Sequence, residues 1–241
     1  MTKEELIKVF DDTKEYSSNM VDSVTTLHTF KDIVKCNNFN VDTFKMLHSM
    51  IVVVNSDSVS ALSRFNTGKT CILNMASAKR PGGGVANGRV SQEECLFRCS
   101  NLTNVISTEL YPLNDYQGIY TKNAIFFKDN CYNYMKEIVA DVVTVAAINL
   151  NNDSNNPNYE NITKQKIRLM LSLAIENCVD NIILSAFGCG VFKNDPKIIS
   201  QYFYDILVTE KYSENFNTVM FAIINDDNST ANNYQIFKDM F

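Results

Sequence analysis

The order of hydrophobic and polar positions along the chain predicts buried strands that alternate with helices. Residues 51–54, 142–148 and 219–224 are nearly unbroken apolar runs with many β-branched side chains. Such runs are typical of strands whose two faces are both covered, as in a parallel sheet. We therefore predict that residues 51–54 form the first of several covered strands.

Shorter patterns extend this alternation along the chain. Residues 71–74 and 182–187 predict further strands, and residues 125–127 predict a strand at the edge of the sheet. Apolar positions at helical spacing predict helices at residues 166–175, from Pro196 to about residue 208, and at residues 230–241. The predicted fold is therefore α/β, with a mostly parallel mixed sheet flanked by helices on both faces.

Residues 1–50 carry a different pattern, in which apolar side chains recur at helical spacing. One stripe contains Leu6, Ile7, Val9 and Phe10, a second contains Val21, Val24 and Leu27, and Phe44, Met46 and Leu47 lead into the first strand. No interdomain linker and no internal repeat interrupts the chain. We predict one domain over residues 1–241, with residues 1–50 as a helical extension packed on it.

Composition and charge exclude several classes of function. The 241 residues are 45% hydrophobic and carry a formal net charge of -5, which argues against a broad surface for nucleic-acid phosphates. The seven cysteines are scattered like reduced intracellular thiols, and none is spaced with His28 or His48 as metal ligands are. The first residues lack a signal core, and no apolar run is long enough to span a membrane. We expect an intracellular protein that binds a small, nucleotide-like ligand without a metal.

The candidate chemistry is concentrated in the stretch from residue 81 to residue 94. Three successive glycines begin it, and glycine backbones can approach a diphosphate or a sugar closely. The stretch follows the predicted strand 71–74, and a second Gly-x-Gly sequence, at residues 188–190, follows the predicted strand 182–187. Open α/β sheets bind ligands at the carboxyl ends of their strands. Two glycine loops there predict a clamp for a diphosphate.

Simpler interpretations compete at each of these motifs. Gly68-Lys69-Thr70 lacks the upstream glycine of a nucleotide-triphosphate loop, because Ser63 occupies that position, and Lys193 replaces the last glycine of a dinucleotide fingerprint. Residues 91–94 match a capping box, in which Glu94 would fold back onto the amide of the cap residue. Cys189 has no neighbouring histidine to activate it, so we expect it to be a packing residue.

The combination of these motifs resembles a known family. Gly-Gly-Gly at residues 82–84 followed by Gln92-Glu93-Glu94 is similar to the signature of poly(ADP-ribose) glycohydrolases, and residues 73–81 and 185–196 resemble the microbial type. The resemblance runs from about residue 51 to the terminal helix. It implies a macrodomain-like fold, with the helical segment of residues 1–50 as an N-terminal extension.

The resemblance also implies a role for each residue of the motifs. Glu94 and Glu93 would be the catalytic residues, with Glu94 as the proton donor and Glu93, together with Gln92, positioning the ribose. The substrate-binding residues would be Asn74, Ser77, Gly82, Gly83, Gly84, Val85, Gln92, Gly188, Cys189, Gly190, Val191 and Phe192. The chain departs from the family at Ser77, where many relatives have Asn, and at Cys95 and Lys193. Ser77 is therefore the weakest match among the ribose contacts.

The expected reaction is hydrolysis of the ribose–ribose bonds of poly(ADP-ribose), from chain ends and without a cofactor. The expected partners are the polymer or ADP-ribosylated proteins, and we expect a monomer that binds neither nucleic acid nor membranes. The protein would act in the cytoplasm, or also in the nucleus of a eukaryotic or virus-infected cell. Two alternatives share the glycine loops, namely a hydrolase of mono-ADP-ribosylated protein or nucleotide and a non-catalytic ADP-ribose-binding macrodomain. Only the second alternative would have no need of the carboxylates.

Overall fold

A computed structural model describes residues 1–33, 49–65, 67–152, 156–224 and 232–241. These residues contain a seven-stranded sheet with the order β1-β4-β5-β3-β6-β7-β2. Strands β5, β3, β6, β7 and β2 run parallel to one another, and β1 and β4 complete the sheet with antiparallel pairs. The strands are β1 (Val24–Thr29), β2 (Met50–Val54), β3 (Thr70–Met75), β4 (Gln117–Lys128), β5 (Tyr134–Val145), β6 (Asn181–Leu184) and β7 (Thr218–Ala222).

Helices cover both faces of this sheet. They are α1 (Lys3–Tyr16), α2 (Phe30–Ile33), α3 (Ser58–Phe65), α4 (Gln92–Cys99), α5 (Leu102–Val105), α6 (Tyr159–Glu176), α7 (Pro196–Tyr204) and α8 (Asn233–Met240). One core joins the sheet to α6, α7 and α8, and the other joins it to α1, α3 and α4. Because side chains alternate between faces along a strand, Leu73 enters the first core and Ile72 the second. The predicted macrodomain-like α/β fold is confirmed.

The prediction that Val21, Val24 and Leu27 belong to a helix is wrong. Residues Val24–Thr29 form strand β1, which pairs antiparallel with residues 117–122 of β4. Four of its six residues are Val or Thr, which favour strands. Val24 and Leu27 remain exposed, so their spacing does not mark a buried helical face. The helix predicted around Leu6 and Phe10 is present as α1, in which both residues are buried.

Two predictions about the positions of strands in the sheet are also wrong. Residues 51–54 lie in β2, which is an edge strand and only half-buried, although their apolar run predicted a strand covered on both faces. Residues 125–127 belong to β4, which is not an edge strand: β1 pairs with its first half, and Ser100 and Asn101 cover its second half. A strand's own sequence does not show which neighbours it will have, so hydrophobicity predicts the strand and not its place.

The helices predicted in the second half of the chain are present, although α6 begins at Tyr159, seven residues before the predicted start. Asp195 caps α7 by accepting a hydrogen bond from the amide of Lys197, and Pro196 is the first helical residue, as predicted. A π-helical turn at Asp205–Thr209 extends α7. The segment predicted before the first strand, around Phe44, and the predicted start of the terminal helix at residue 230 lie outside the described residues. In the described ranges, no helix has the length and apolarity needed to cross a membrane.

Candidate active site

Both glycine loops and the first turn of α4 meet around one cavity of about 820 Å³. The first loop leaves β3 and the second leaves β6, and these two strands are paired and parallel. Their carboxyl ends therefore lie side by side, as expected for a ligand site in an open α/β sheet. The predicted site residues that line the cavity are Ser77, Gly83, Gly84, Gln92, Glu93, Glu94, Gly188, Gly190, Val191 and Phe192.

The other predicted site residues lie behind the cavity wall. Asn74, Gly82 and Val85 are buried, and the side chain of Cys189, within the second loop, packs against the core beneath it. Burial raises the pKa of the Cys189 thiol, which disfavours the nucleophilic thiolate. This agrees with the interpretation of Cys189 as a packing residue.

Glu93 is a buried carboxylate that holds the first glycine loop. It is 3% exposed; one oxygen accepts a hydrogen bond from the amide of Ser77 at 2.8 Å, and the other accepts one from the amide of Gly82 at 3.1 Å. Its side chain therefore joins the end of β3 to the triple glycine. Burial is the main cause that raises the pKa of Glu93 from 4.5 to about 8. The adjacent Glu94 carboxylate also raises this pKa, whereas the two amide donors lower it.

Glu94 faces the same cavity with a different set of partners. Its Oε1 accepts a hydrogen bond from the amide of Gly84 at 2.9 Å, and the hydroxyl of Ser91 donates to its Oε2. Ser91 precedes α4, yet its side chain makes no hydrogen bond to the amides of the first turn. The capping-box interpretation is therefore wrong. The Ser91 hydroxyl binds the carboxylate of Glu94 instead of its backbone amide, so this carboxylate stays at the cavity wall.

Gly83 keeps the two carboxylates close to the loop because it has no side chain. A Cβ at this position would lie 2.8 Å from Glu93 Oε2 and 2.9 Å from Glu94 Oε1. The φ angle of Gly83 is +52°, in the region that disfavours other residues. Any other residue here would push the carboxylates away from the loop that orients them.

Gln92 is occupied by backbone groups of the sheet. Its Oε1 accepts a hydrogen bond from the amide of Met75 at 2.9 Å, and its Nε2 donates to the carbonyl of Leu73 and to the hydroxyl of Ser58. These contacts fix the start of α4 against the last residues of β3. A contact of Gln92 with ribose stays a prediction.

Asn74 and Ser77, the predicted ribose contacts, both lie next to Glu93. The Asn74 amide nitrogen donates to the hydroxyl of Thr144 at 3.3 Å, and its buried Oδ1 has no partner among the described residues. Ser77 is half-buried at the cavity, and its hydroxyl accepts a hydrogen bond from the amide of Lys79. Their contacts with a ligand stay predictions.

The second glycine loop is shaped by Asn194, a residue that sequence analysis did not single out. Its buried amide nitrogen donates to the carbonyls of Ile148, Gly188 and Phe192, and its Oδ1 accepts a hydrogen bond from the hydroxyl of Tyr159 at 2.7 Å. No sequence signal marks this role, since the partners come from separate segments. Within the described residues, the amides of residues 190–192 make no hydrogen bond to the protein, so they can bind a ligand.

Comparison with known proteins then assigns the family. Residues 4–132, more than half of the chain, match the family described as microbial-type PARG, catalytic domain. The chain belongs to this family. The predicted recognition and the predicted enzyme class, a poly(ADP-ribose) glycohydrolase (PARG), are confirmed. No curated protein matches the chain significantly.

Solved structures share the fold of this microbial-type PARG. The poly(ADP-ribose) glycohydrolase of Thermomonospora curvata is 20% identical, with a TM-score of 0.86 over 99% of this chain and 100% of that chain. Its structure bound to the inhibitor ADP-HPD has a TM-score of 0.82, at the same identity and coverage. The enzyme of Deinococcus radiodurans in complex with ADP-ribose is 23% identical, with a TM-score of 0.76 over 90% of this chain and 93% of that chain.

A second residue of this PARG that sequence analysis missed is Arg98. It is fully buried, and its guanidinium donates to the carbonyls of Leu6 in α1 and of Val85 and Arg89 beside the glycine loop. Gly88 also packs against Lys3, where a Cβ would lie 2.7 Å from the Lys3 carbonyl oxygen. The N-terminal helix is therefore part of the scaffold that supports the first loop.

In the part of the chain that the structure describes, no three His, Cys, Asp or Glu side chains come together in a group suited to a metal ion.

Proposed function

We propose that the chain hydrolyses the ribose–ribose O-glycosidic bonds of poly(ADP-ribose) and releases ADP-ribose, with Glu94 as the catalytic acid. The observation that carries this assignment is the position of the Glu94 carboxylate. It lines the cavity between the two glycine loops and is oriented by the Gly84 amide and the Ser91 hydroxyl.

In the proposed reaction, a proton on Glu94 passes to the oxygen of the leaving ribose while its bond to the anomeric carbon breaks. The resulting cationic sugar is stabilised by the substrate diphosphate and by the fixed dipoles of the loops. Glu94, now a carboxylate, takes a proton from water as the water oxygen adds to the anomeric carbon. The cycle leaves Glu94 protonated again. Glu93 acts as a positioning residue, which joins the end of β3 to the triple glycine through the amides of Ser77 and Gly82.

The proposed orientation of the substrate follows from the chemistry of the two loops. The free amides of residues 190–192 suit the diphosphate, since backbone N–H groups in a glycine loop form an anion site. The terminal ribose would then lie against Gly83, Gly84 and the carboxylates. Structures of relatives that hold ADP-ribose or ADP-HPD support a ligand of this class.

We further propose that the chain works as one catalytic domain and as a monomer. Both loops and both carboxylates come from one chain, so no group of the proposed site has to be supplied by a second copy. Cleavage from chain ends follows from the likeness to the microbial type. Half-buried Phe192, at the end of the second loop, would pack near the distal ribose.

The experiment that tests this function measures release of ADP-ribose from end-labelled polymer by the wild type, by Glu94→Gln and by Glu137→Gln. Glutamine keeps the shape of Glu94 but cannot deliver the proton, so we expect kcat to fall by about 10²- to 10⁴-fold with little change in ADP-ribose affinity. Glu137 is an exposed glutamate on β5, and its variant controls for the loss of one charge.

The other functions predict different results in the same experiment. A non-catalytic macrodomain would bind ADP-ribose without releasing any from polymer. A mono-ADP-ribosyl hydrolase would release ADP-ribose from modified protein and not from polymer. Early appearance of short oligomers would contradict cleavage from chain ends. Full activity of Glu94→Gln would overturn the assignment of Glu94.

A further inference from the structure

The cavity carries three cationic side chains that the proposed mechanism does not use. Lys79, Arg80 and Arg89 line it, and all three are exposed. They lie on the two segments that flank the triple glycine, whereas the part of the second loop that lines the cavity contributes no cation. Positive charge is thus concentrated at one end of the cavity, in a chain whose formal net charge is -5.

The charges of these three side chains are not neutralised by any of the residues that the structure describes. Within the described ranges, none of the three makes an ion pair, and none of their side-chain nitrogens donates a hydrogen bond to another residue. Other cations of the chain are used structurally. Buried Lys128 pairs with Asp12, and buried Arg98 binds three backbone carbonyls. The cavity cations therefore remain available to an anionic ligand.

Their backbones place the three cations on the segments next to the carboxylates of Glu93 and Glu94. The Lys79 amide donates to Ser77, whose own amide binds Glu93. The Arg80 carbonyl accepts a hydrogen bond from the Gly83 amide at 3.4 Å, and the Arg89 amide donates to the Gly84 carbonyl at 3.2 Å. Through these backbone hydrogen bonds, each cation is linked to a residue that lies beside Glu93 or Glu94, namely Ser77, Gly83 or Gly84. The free amides of the second loop occupy the other side of the cavity.

The group that leaves the anomeric carbon, and that takes the proton from Glu94, differs between the possible substrates. In the polymer it is the ribose of another ADP-ribose unit, which carries a diphosphate of its own. In a mono-ADP-ribosylated protein it is an amino-acid side chain, which brings no such anion. The cationic rim formed by Lys79, Arg80 and Arg89 therefore stabilises the complex with polymer and not the complex with mono-ADP-ribosylated protein.

We propose that Lys79, Arg80 and Arg89 form an anion site for the diphosphate of the penultimate ADP-ribose unit, which makes this chain select polymer over mono-ADP-ribosyl substrates. The inference rests on the proposed function and extends it to the unit that stays on the polymer. It assigns to the rim a binding role that is separate from proton transfer at Glu94.

The test measures binding in the Glu94→Gln background, so that substrate is not consumed. Affinities for a short ADP-ribose oligomer and for ADP-ribose itself are compared with and without K79Q/R80Q. We expect the oligomer to bind more tightly than ADP-ribose, and the double variant to lose about five- to tenfold in oligomer affinity, since two exposed ionic contacts disappear. The affinity for ADP-ribose, which occupies only the terminal-unit site, should change much less.

A matched control removes the same charge elsewhere. Lys122 and Lys136 are exposed on β4 and β5 and do not line the cavity, so K122Q/K136Q should leave the ratio of the two affinities as it is. Raised salt should weaken oligomer binding more in the protein with Lys79 and Arg80 intact. The proposed anion site would be wrong if the protein with Lys79 and Arg80 intact bound the oligomer and ADP-ribose with equal affinity. It would also be wrong if K79Q/R80Q lowered the affinities for both ligands equally. Failure of wild-type protein to cleave polymer would instead refute the proposed function.

Discussion

The two glycine loops have similar sequences but use their backbone amides in opposite ways. In the first loop, the amides of Gly82 and Gly84 bind the carboxylates of Glu93 and Glu94. In the second loop, the side chain of Asn194 binds carbonyl groups, and the amides of residues 190–192 have no partner among the described residues. A glycine loop can therefore orient catalytic groups or bind the ligand directly. The residues around the loop, and not its glycines, decide which role it has.

The comparison predicts that a methyl group is tolerated differently in the two loops. In Gly83→Ala, the new Cβ would collide with both carboxylates and strain a backbone with a φ of +52°. We expect polymer hydrolysis to fall by about 10²-fold or more, because misplacing a catalytic group by about 1 Å has an effect of this size. The measurement is kcat on labelled polymer, with circular dichroism to confirm that the variant folds.

Gly190→Ala is the matched variant in the second loop. A Cβ there would have no protein neighbour within 4 Å, so the melting temperature should stay close to that of the wild type. If both alanine variants lowered kcat to the same extent, the proposed difference between the loops would be wrong.

The first loop should also give the protein an unusual pH dependence. The pKa of Glu93 is about 8 in the folded chain and close to its ordinary 4.5 when unfolded. Between these values the folded state holds a proton that the unfolded state has lost, so stability falls as the pH rises and levels off above about 8. The loss is on the order of 5 kcal/mol, and urea unfolding across this range measures it.

Glu93→Gln should remove most of this dependence, because glutamine does not titrate. The variant should be less stable than the wild type at low pH, since only its amide oxygen can accept from the Ser77 and Gly82 amides. A stability that still fell equally steeply with pH in this variant would assign the effect to another group.

In the second loop, the loss in the free energy of unfolding should grow with the number of hydrogen bonds that a substitution removes. Asn194→Ala leaves the carbonyls of Ile148, Gly188 and Phe192 without this donor, and we expect a loss of about 2 kcal/mol in the free energy of unfolding together with weaker ADP-ribose binding. Tyr159→Phe removes only the hydroxyl that donates to Asn194, so we expect a loss of about 1 kcal/mol. Equal losses in the two variants would contradict the central role of Asn194.

Much of the fold could be predicted because its signals are local. A nearly unbroken apolar run predicted a strand at residues 219–224, a shorter pattern predicted one at residues 71–74, and the Asp195-Pro196 pair predicted the start of α7. Helical periodicity predicted α6 although it did not give its full length. The strand Val24–Thr29 was missed because its stability comes from pairing with β4, which a local pattern does not contain.

The candidate site also contains residues that local sequence signals predicted and residues that they did not. Both glycine loops and their positions after strands followed from the order of residues, and the role of Glu94 followed from the likeness of the signature to a family. Residues 91–94 match the local pattern of a capping box, in which the Ser91 hydroxyl would bind the backbone amide of Glu94. In the structure this hydroxyl binds the carboxylate of Glu94 instead. Arg98 and Asn194 had no local signal, since each binds carbonyls from segments distant in the chain.

Sequence by itself determined the alternation of helices and strands, the places where glycine frees the backbone, and the carboxylates near them. These depend on side-chain shape and on short-range periodicity, which are present before folding. Only the tertiary structure decided which strands lie at the edge, which amides remain free for a ligand, and that Glu93 is buried enough to raise its pKa. Burial and distant hydrogen-bond partners arise only when the chain has folded, because both depend on groups that are far apart in the sequence.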